Sequence, residues 1–382
     1  MRLAHLSTSH HIDDVRVVRK ECCSLCELGH DVTLVLPGGP FTSPYPGLVV
    51  HGVGKPSSRL LRMTWTAFLV FRIAWRLKVD IYHFHSPDLL PWMFLLLLRG
   101  RPIIYDVHED FQTGILRAIY LPHWLAVLAA WFVRVLEQLA RRYFTIVIAE
   151  KYYRDIFPNS TEVLNYPRLE DYSHLAAEPA SSNSPPVLLY TGSVIRHRGA
   201  LQYAALARAM PDVHVRTVGI VARGLVQEMS EISGNAPNLE IIGVRRWVSY
   251  EEILAAYATR PALGIALFPD TDHYRQKELT KFFEYMAAGI PIVCSDFPVW
   301  RALIAQQGVG ICVDPADLDG TVQAIRSLLD DLPRREAMSE NGRRLATSRY
   351  HWDGEAARLD AIYQRLHPPV RVKHGLWRRL ML

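Results

Sequence analysis

The chain has 382 residues, 49% of them hydrophobic and 21% charged, with 24 Pro and 22 Gly. That apolar content with so small a net charge excludes a disordered or low-complexity chain, and the length predicts two domains. The balance of 43 Lys and Arg against 38 Asp and Glu leaves +5, too weak to imply nucleic acid, and the five cysteines show no disulfide or zinc spacing, so a reducing compartment is expected.

Met1–Ser7 reads as a short buried strand, and no signal peptide is read in residues 1–10. A helix over Asp13–Leu28 follows, ended by Gly29, then strands at Asp31–Leu36 and Leu48–His51. Helices at Leu60–Leu77 and Leu89–Arg99 alternate with strands at Ile81–His85 and Pro102–Asp106. A long helical region at Ile119–Tyr143 precedes a strand at Thr145–Ala149. Ala176–Pro186, rich in Ala, Ser and Pro, is the clearest linker. After it the alternation restarts with strands at Val187–Tyr190, His214–Val218, Leu239–Ile242, Leu263–Leu267, Ile290–Cys294 and Gly310–Val313. Helices lie between them, and Asp317–Leu328 and Pro333–Ser348 read as two more. Short apolar strands alternating with longer helices predict an α/β chain of two Rossmann-like domains facing across a cleft, with ligands outside the carboxyl ends of the strands. The expected division is an N-terminal domain over 1–170, a linker over 171–186, a second domain over 187–350, and a returning helix with a basic tail over 351–382.

Neither half carries G-x-G-x-x-G after its first strand, and the chain lacks a P-loop, a zincin motif and a nucleophile elbow. Five stretches carry chemistry instead. In Glu278–Pro298, Lys281 and Glu284 lie three apart at the start of a predicted helix, where a carboxylate can accept ribose hydroxyls and free amides can hold phosphate. In Leu188–Gly199 a strand runs into Gly192 and Ser193, then a loop with Arg196 and Arg198, a plausible diphosphate clamp. His108 follows a buried strand in Ile103–Asp110, flanked by Asp106, Glu109 and Asp110, without a specific metal spacing. His83 and His85 share one strand face, and Arg16 and Lys20 share one helix face that can meet an acceptor phosphate. The plainer readings are a surface Lys–Glu pair, a solvated basic loop, a structural His108, a packed His pair and a solvated helix face.

These residues resemble a family. KFFEYMAAGIPIVCSD within Glu278–Pro298 looks like the donor-binding signature of the large retaining glycosyltransferases of GT-B fold, group 1 type. TGS…RHRG resembles their phosphate-binding loop, DVHED their acceptor-side His, and Arg349–Leu366 their terminal segment. The resemblance implies that Glu284 binds the ribose as the second Glu of a Glu-x7-Glu motif, whose first position here is Gln276. It implies donor binding by Gly192, Ser193, Arg196, Arg198, Lys281 and Glu284. Acceptor contacts fall to His10, His11, Arg16, Lys20, His85 and His108, and catalysis to His108, Arg198 and Gln276. The implied reaction moves a sugar, with retention and without a metal or other cofactor, from a nucleotide-diphosphate sugar (UDP first, GDP second) to a lipid-linked or polysaccharide acceptor of the bacterial envelope. Asp270-Thr271-Asp272 reads as a sugar or loop contact rather than a metal pair. A nucleotide-sugar epimerase and a degenerate nucleotide-binding module remain as alternatives.

Leu60–Lys78 and Ile119–Arg142 mix Trp, Phe and Leu with Arg, and Val370–Leu382 is short, basic and amphipathic. Such segments read as interfacial anchors on an anionic leaflet, which predicts a cytoplasmic protein peripheral at the inner face of the membrane. The competing reading is a pair of buried core helices and a disordered tail.

Overall fold

The computed structural model describes residues 1–43, 45–55, 57–108, 122–175 and 185–367. They form two units. The first holds residues 1–149, 153–163 and the chain from Glu355 onward, and the second holds 150–152 and 164–354.

In the first unit, β1 (Arg2–Leu6), β2 (Asp31–Leu36), β3 (Leu48–Gly52), β4 (Ile81–Phe84), β5 (Ile103–Val107), β6 (Thr145–Ile148) and β7 (Thr161–Glu162) form one parallel sheet, in the order β3-β2-β1-β4-β5-β6-β7. Strands of a parallel sheet covered on both faces are apolar almost throughout, and Leu3, Ala4, Leu6, Ile81, Phe84 and Ile104 are fully buried. The predicted first helix exists as Val15–Cys22, wound with wide π-type turns, continuing into Cys23–Glu27. Asp14 caps it by accepting from the Val17 amide at 2.8 Å. Chain order reverses between β1 and β4, the position where doubly wound sheets open a crevice at their strand ends.

The second unit pairs β8 (Val187–Thr191), β9 (His214–Val221), β10 (Leu239–Val244), β11 (Leu263–Ala266), β12 (Ile292–Ser295) and β13 (Gly310–Val313) in the order β10-β9-β8-β11-β12-β13, again all parallel. Its switch point lies between β8 and β11. The helix Tyr250–Ala258 begins at a complete capping box between Ser249 and Glu252. Asn238 holds the neighbouring layer together, its amide donating to the carbonyls of Ala207, Met210 and Val213.

Residues 171–175, expected in the linker, belong to the helical turn Leu169–Leu175, because Tyr172 and Leu175 are apolar enough to join the second unit's core. Residues 176–184 lie outside the described residues. So do Glu109, Asp110, residues 119–121 of the expected helical region and the tail from 368. The helix found in that region runs His123–Tyr143. The last helix, Trp352–Leu366, gives its residues from Glu355 to the first unit. Among the described residues no helix is long and apolar enough to cross a membrane.

Candidate functional site

In the second unit the loops after β8 and β11 and the helix Thr280–Ala288 enclose a pocket of about 310 Å³ at the switch point. Gly192, Arg198, Lys281 and Glu284 all line it, together with Tyr250, Tyr274, Lys277 and Glu278. Gly192 takes a φ of +104°, which lets the chain turn off β8 within 3.6 Å, from a notional Cβ, of the Lys281 Nζ. Its own amide is spent on the Val218 carbonyl, and those of Arg198 and Gly199 on Ile195 and Arg196. The loop therefore contributes shape and side-chain charge more than free amides.

Two cations meet at the floor. Lys281 is 9% exposed, with Nζ 4.8 Å from the Tyr190 ring centroid and 5.4 Å from that of Phe268. Burial, then the charge of Arg198, lowers its pKa from 10.5 to about 7. Arg198 is held by the Tyr274 hydroxyl, which accepts from Nε at 3.3 Å. In the same pocket, Glu284 Oε2 accepts from Tyr257 OH at 2.7 Å, and Tyr257 OH also lies 2.9 Å from Thr191 Oγ1. A fixed carboxylate and two cations lining one pocket suit a ligand that carries hydroxyls and a diphosphate.

Other expected donor residues lie elsewhere. Arg196 pairs bidentately with Glu228, its side chain 61% exposed, and does not line the pocket. The turn Arg196–Arg198 sends the two guanidiniums apart. Ser193 offers its carbonyl to Tyr190 OH at 3.0 Å. Gln276 ends the short helix Asp272–Arg275, exposed and outside the lining, while the next two residues, Lys277 and Glu278, are in it. Sequence reasoning missed both; their adjacency to the Lys281–Glu284 pair, one to two helical turns upstream, was the available signal. Glu278 is oriented by Lys151 at 2.8 Å. Asp270 is occupied by Arg275 at 2.6 Å, with Asp272 3.6 Å from the same guanidinium.

In the first unit the strand ends at the switch point carry a second polar cluster. His10 and His108 form its half-buried entrance, ring centroids 5.1 Å apart, with His10 Nδ1 2.7 Å from Ser7 Oγ. Burial, then His108, lowers the His10 pKa to about 4. His108 Nε2 lies 2.5 Å from Asp106 Oδ2, and Tyr153 OH donates to the His108 carbonyl. Burial pushes Asp106 up, but Arg16 and His108 outweigh it and hold the carboxyl well below its usual range.

Of the predicted acceptor residues, His10 and His108 face outward, and His11 is exposed beside Asp13 at 3.0 Å. Arg16 and Lys20 do not form a solvated face: both are buried, and Arg16 clasps Asp106 at 3.0 Å and lies 3.1 Å from Glu21. His85 is fully buried, stacked on His83 at 4.5 Å, so the packed-pair reading describes it. His5, Glu21, Asp106 and Tyr363 complete the cluster, and no local pattern in the sequence announces that they meet.

The greasy helices keep their large side chains outside. The helix His123–Tyr143 packs through Ala126 and Ala130, while Trp124 is 68% and Trp131 60% exposed. Leu60, Met63, Trp65 and Trp75 of Arg59–Arg76 and Leu95 and Leu98 between the two helices are also exposed. Exposed Arg72, Arg76, Arg134, Arg141 and Arg142 are interspersed with them. The buried-core reading is therefore corrected for these faces: the inner stripe is made of small residues and the large apolar ones are left to solvent.

Two family models match the chain: Glycosyltransferase Family 4 over residues 15–157 and Glycosyl transferases group 1 over 177–345. A phosphatidyl-myo-inositol mannosyltransferase of Mycolicibacterium smegmatis is 23% identical over 372 residues, covering 89% of this chain and 86% of that protein. Among solved structures, sucrose-phosphate synthase of Thermosynechococcus elongatus is 14% identical with a TM-score of 0.69 over 96% of this chain and 98% of that one. The Anabaena protein HepE in complex with UDP-glucose is 15% identical with a TM-score of 0.67, over 96% and 100%.

Proposed function

The chain belongs to the group 1 glycosyltransferases of GT-B fold, and from that premise we propose that it transfers a sugar, with retention, from a nucleoside-diphosphate sugar to a lipid-linked or glycan acceptor. The observation that carries this reading is the pairing in one pocket of Arg198 and Lys281 with Glu284. The two cations take the diphosphate, and Glu284, steadied by Tyr257, accepts the ribose hydroxyls. UDP is the first base to test, in line with the UDP-glucose complex of the Anabaena neighbour, and GDP the second.

In the proposed reaction the bond from the anomeric carbon to the diphosphate breaks while the acceptor oxygen bonds to the same face of that carbon. The acceptor proton passes to an oxygen of the departing diphosphate, so no protein nucleophile is consumed. Arg198 and Lys281 stabilise the charge that builds on the leaving group, the kind of fixed electrostatic contribution for which one donor is worth about 3 kcal/mol. A metal ion is not assigned a role in this step. His10 and His108 hold the acceptor hydroxyl side, with Asp106 orienting His108. The exposed Trp and Arg faces of the first unit suit the surface of an anionic bilayer, where a lipid-linked acceptor resides.

The test is a calorimetric panel of UDP, GDP, ADP and their sugar conjugates on wild type and Glu284→Ala. Binding of one nucleotide class, weakened at least tenfold in the variant, supports the donor site. Retention is read from the anomeric configuration of the product by NMR. Failure of every nucleotide to bind the folded protein overturns the reading and favours a chain without transferase activity.

A further inference from the structure

The buried cluster under the β1 and β4 ends contains a feature that sugar transfer does not use. His5 on β1 is in register with His83 on β4, so both rings leave the same face of the sheet, and His85 follows two residues on. Glu21 reaches that face from the wide-turn helix Val15–Cys22. All four side chains are fully buried, and one ligand atom from each lies within 4.8 Å of the others.

The disposition of the nitrogens is specific. His5 Nδ1 and His85 Nε2 approach to 2.9 Å, and Glu21 Oε2 lies 3.9 Å from each. Those separations bracket the edge of about 3.4 Å that a tetrahedron of ligands at zinc bond lengths has. His83 Nε2 makes no hydrogen bond, and Glu21, whose Oε1 lies 3.1 Å from Arg16 Nε, faces the Asp106 carboxyl. A fully buried ring nitrogen without a hydrogen bond, beside two carboxyls brought together out of water, is expensive unless something else binds there.

The other nitrogen of each ring is already engaged. His5 Nε2 and His83 Nδ1 meet the Tyr363 hydroxyl at 3.1 and 2.5 Å, and His85 Nδ1 meets Asp106 Oδ2 at 3.2 Å. Metal-bound histidines are oriented in this way, with the outer nitrogen donating to a carboxylate or oxygen acceptor, and the phenol oxygen has lone pairs for two such donors. An overlapping set with Asp106 and His108 is less apt, because Arg16 and His108 already occupy Asp106.

We propose that His5, Glu21, His83 and His85 bind a divalent first-row metal of the zinc class as a structural ion inside the first unit. Three imidazoles and one carboxylate, all closed from water, match a four-coordinate site with no position left for substrate. Through His85 the ion also holds Asp106, and so the orientation of His108. The four ligands come from positions 5, 21, 83 and 85, which explains why no short motif reveals the set.

The full-length protein, purified after growth with added zinc, is analysed for metal by plasma mass spectrometry, with about one zinc per chain expected after dialysis. Removal by a strong chelator is expected to lower Tm by several degrees, and added Zn2+ to restore it. His83→Gln is expected to lose most of the metal. Should that variant not fold, Co2+ loaded into the wild-type chain reports instead, through the intense visible bands of four-coordinate cobalt. A folded wild-type protein that holds less than about a tenth of an equivalent, with a Tm indifferent to chelator and zinc, overturns the proposal. The weak bands of six-coordinate cobalt overturn it equally. These readouts do not depend on nucleotide binding, so this proposal and the donor-site reading stand or fall separately.

Discussion

A buried lysine that titrates near neutrality makes donor binding depend on pH in a way the structure fixes. The shift of Lys281 from 10.5 to about 7 corresponds to about 5 kcal/mol of penalty for keeping the charge buried and beside Arg198. A bound diphosphate offsets that penalty and returns the lysine toward its ordinary pKa, so binding above pH 7 takes up a proton. Nucleotide sugars suit the experiment because their diphosphate is a diester and does not titrate in this range. For a free-protein pKa of about 7 and a bound one near 10, Kd is expected to rise about thirtyfold between pH 6 and pH 8.5.

Calorimetry in two buffers of different ionisation heat should find about one proton taken up per donor bound at pH 8, and almost none at pH 6. Lys281→Met should bind weakly at every pH and lose the slope. The sign for folding is consistent. The folded pKa lies below the unfolded one, so in the unliganded protein this group's stability contribution is present above about pH 10.5 and is lost as pH falls to 7. A donor affinity constant within about twofold from pH 6 to pH 8.5 would refute the assignment of Lys281 to the diphosphate.

Gly199, at φ +84°, has no room for a side chain, since a Cβ would stand 2.3 Å from the Leu267 carbonyl and 2.9 Å from the Tyr203 ring. Gly199→Ala should cost about 3 kcal/mol or more in urea unfolding and weaken donor binding by displacing Arg198, whereas Gly224→Ala, in open space, should be neutral or slightly stabilising. Wild-type protein should sediment with vesicles rich in phosphatidylglycerol and not with neutral ones, and a Trp124→Ser, Trp131→Ser double variant should reduce the bound fraction several-fold; equal binding by both proteins would remove the exposed apolar face from the account.

The two-domain α/β fold was legible because alternation of short apolar runs with longer helices is a local signal, whereas the two-residue strand β7 is too short to give one. Lys281 and Glu284 were legible for the same reason, being three residues apart on one helix beside a strand. Arg196 and Arg198 show where such reading ends. Two residues apart, they look equivalent, yet one turn directs Arg198 to Tyr274 and leaves Arg196 to Glu228, whose position only the tertiary fold supplies. His85 and Arg16 belong to the same class, since both are held by Asp106, which β5 brings from elsewhere in the chain. The helix His123–Tyr143 left two readings open: its Trp and Leu residues suit a core or a surface equally, and the small-residue stripe at Ala126 and Ala130 marks the side that faces in.

Tyr363 closes the first unit's histidine cluster from the helix Trp352–Leu366, near the end of the chain. During synthesis the ribosome therefore releases the entire second unit before the residue that completes the first. The second unit can fold as soon as Gly354 has emerged, while β1 and β4 wait with His5, His83 and Glu21 lacking their last cover. Order of manufacture and order of completion are thus inverted in this protein, and the interval between them is the time when an unfinished first sheet is most in need of a chaperone.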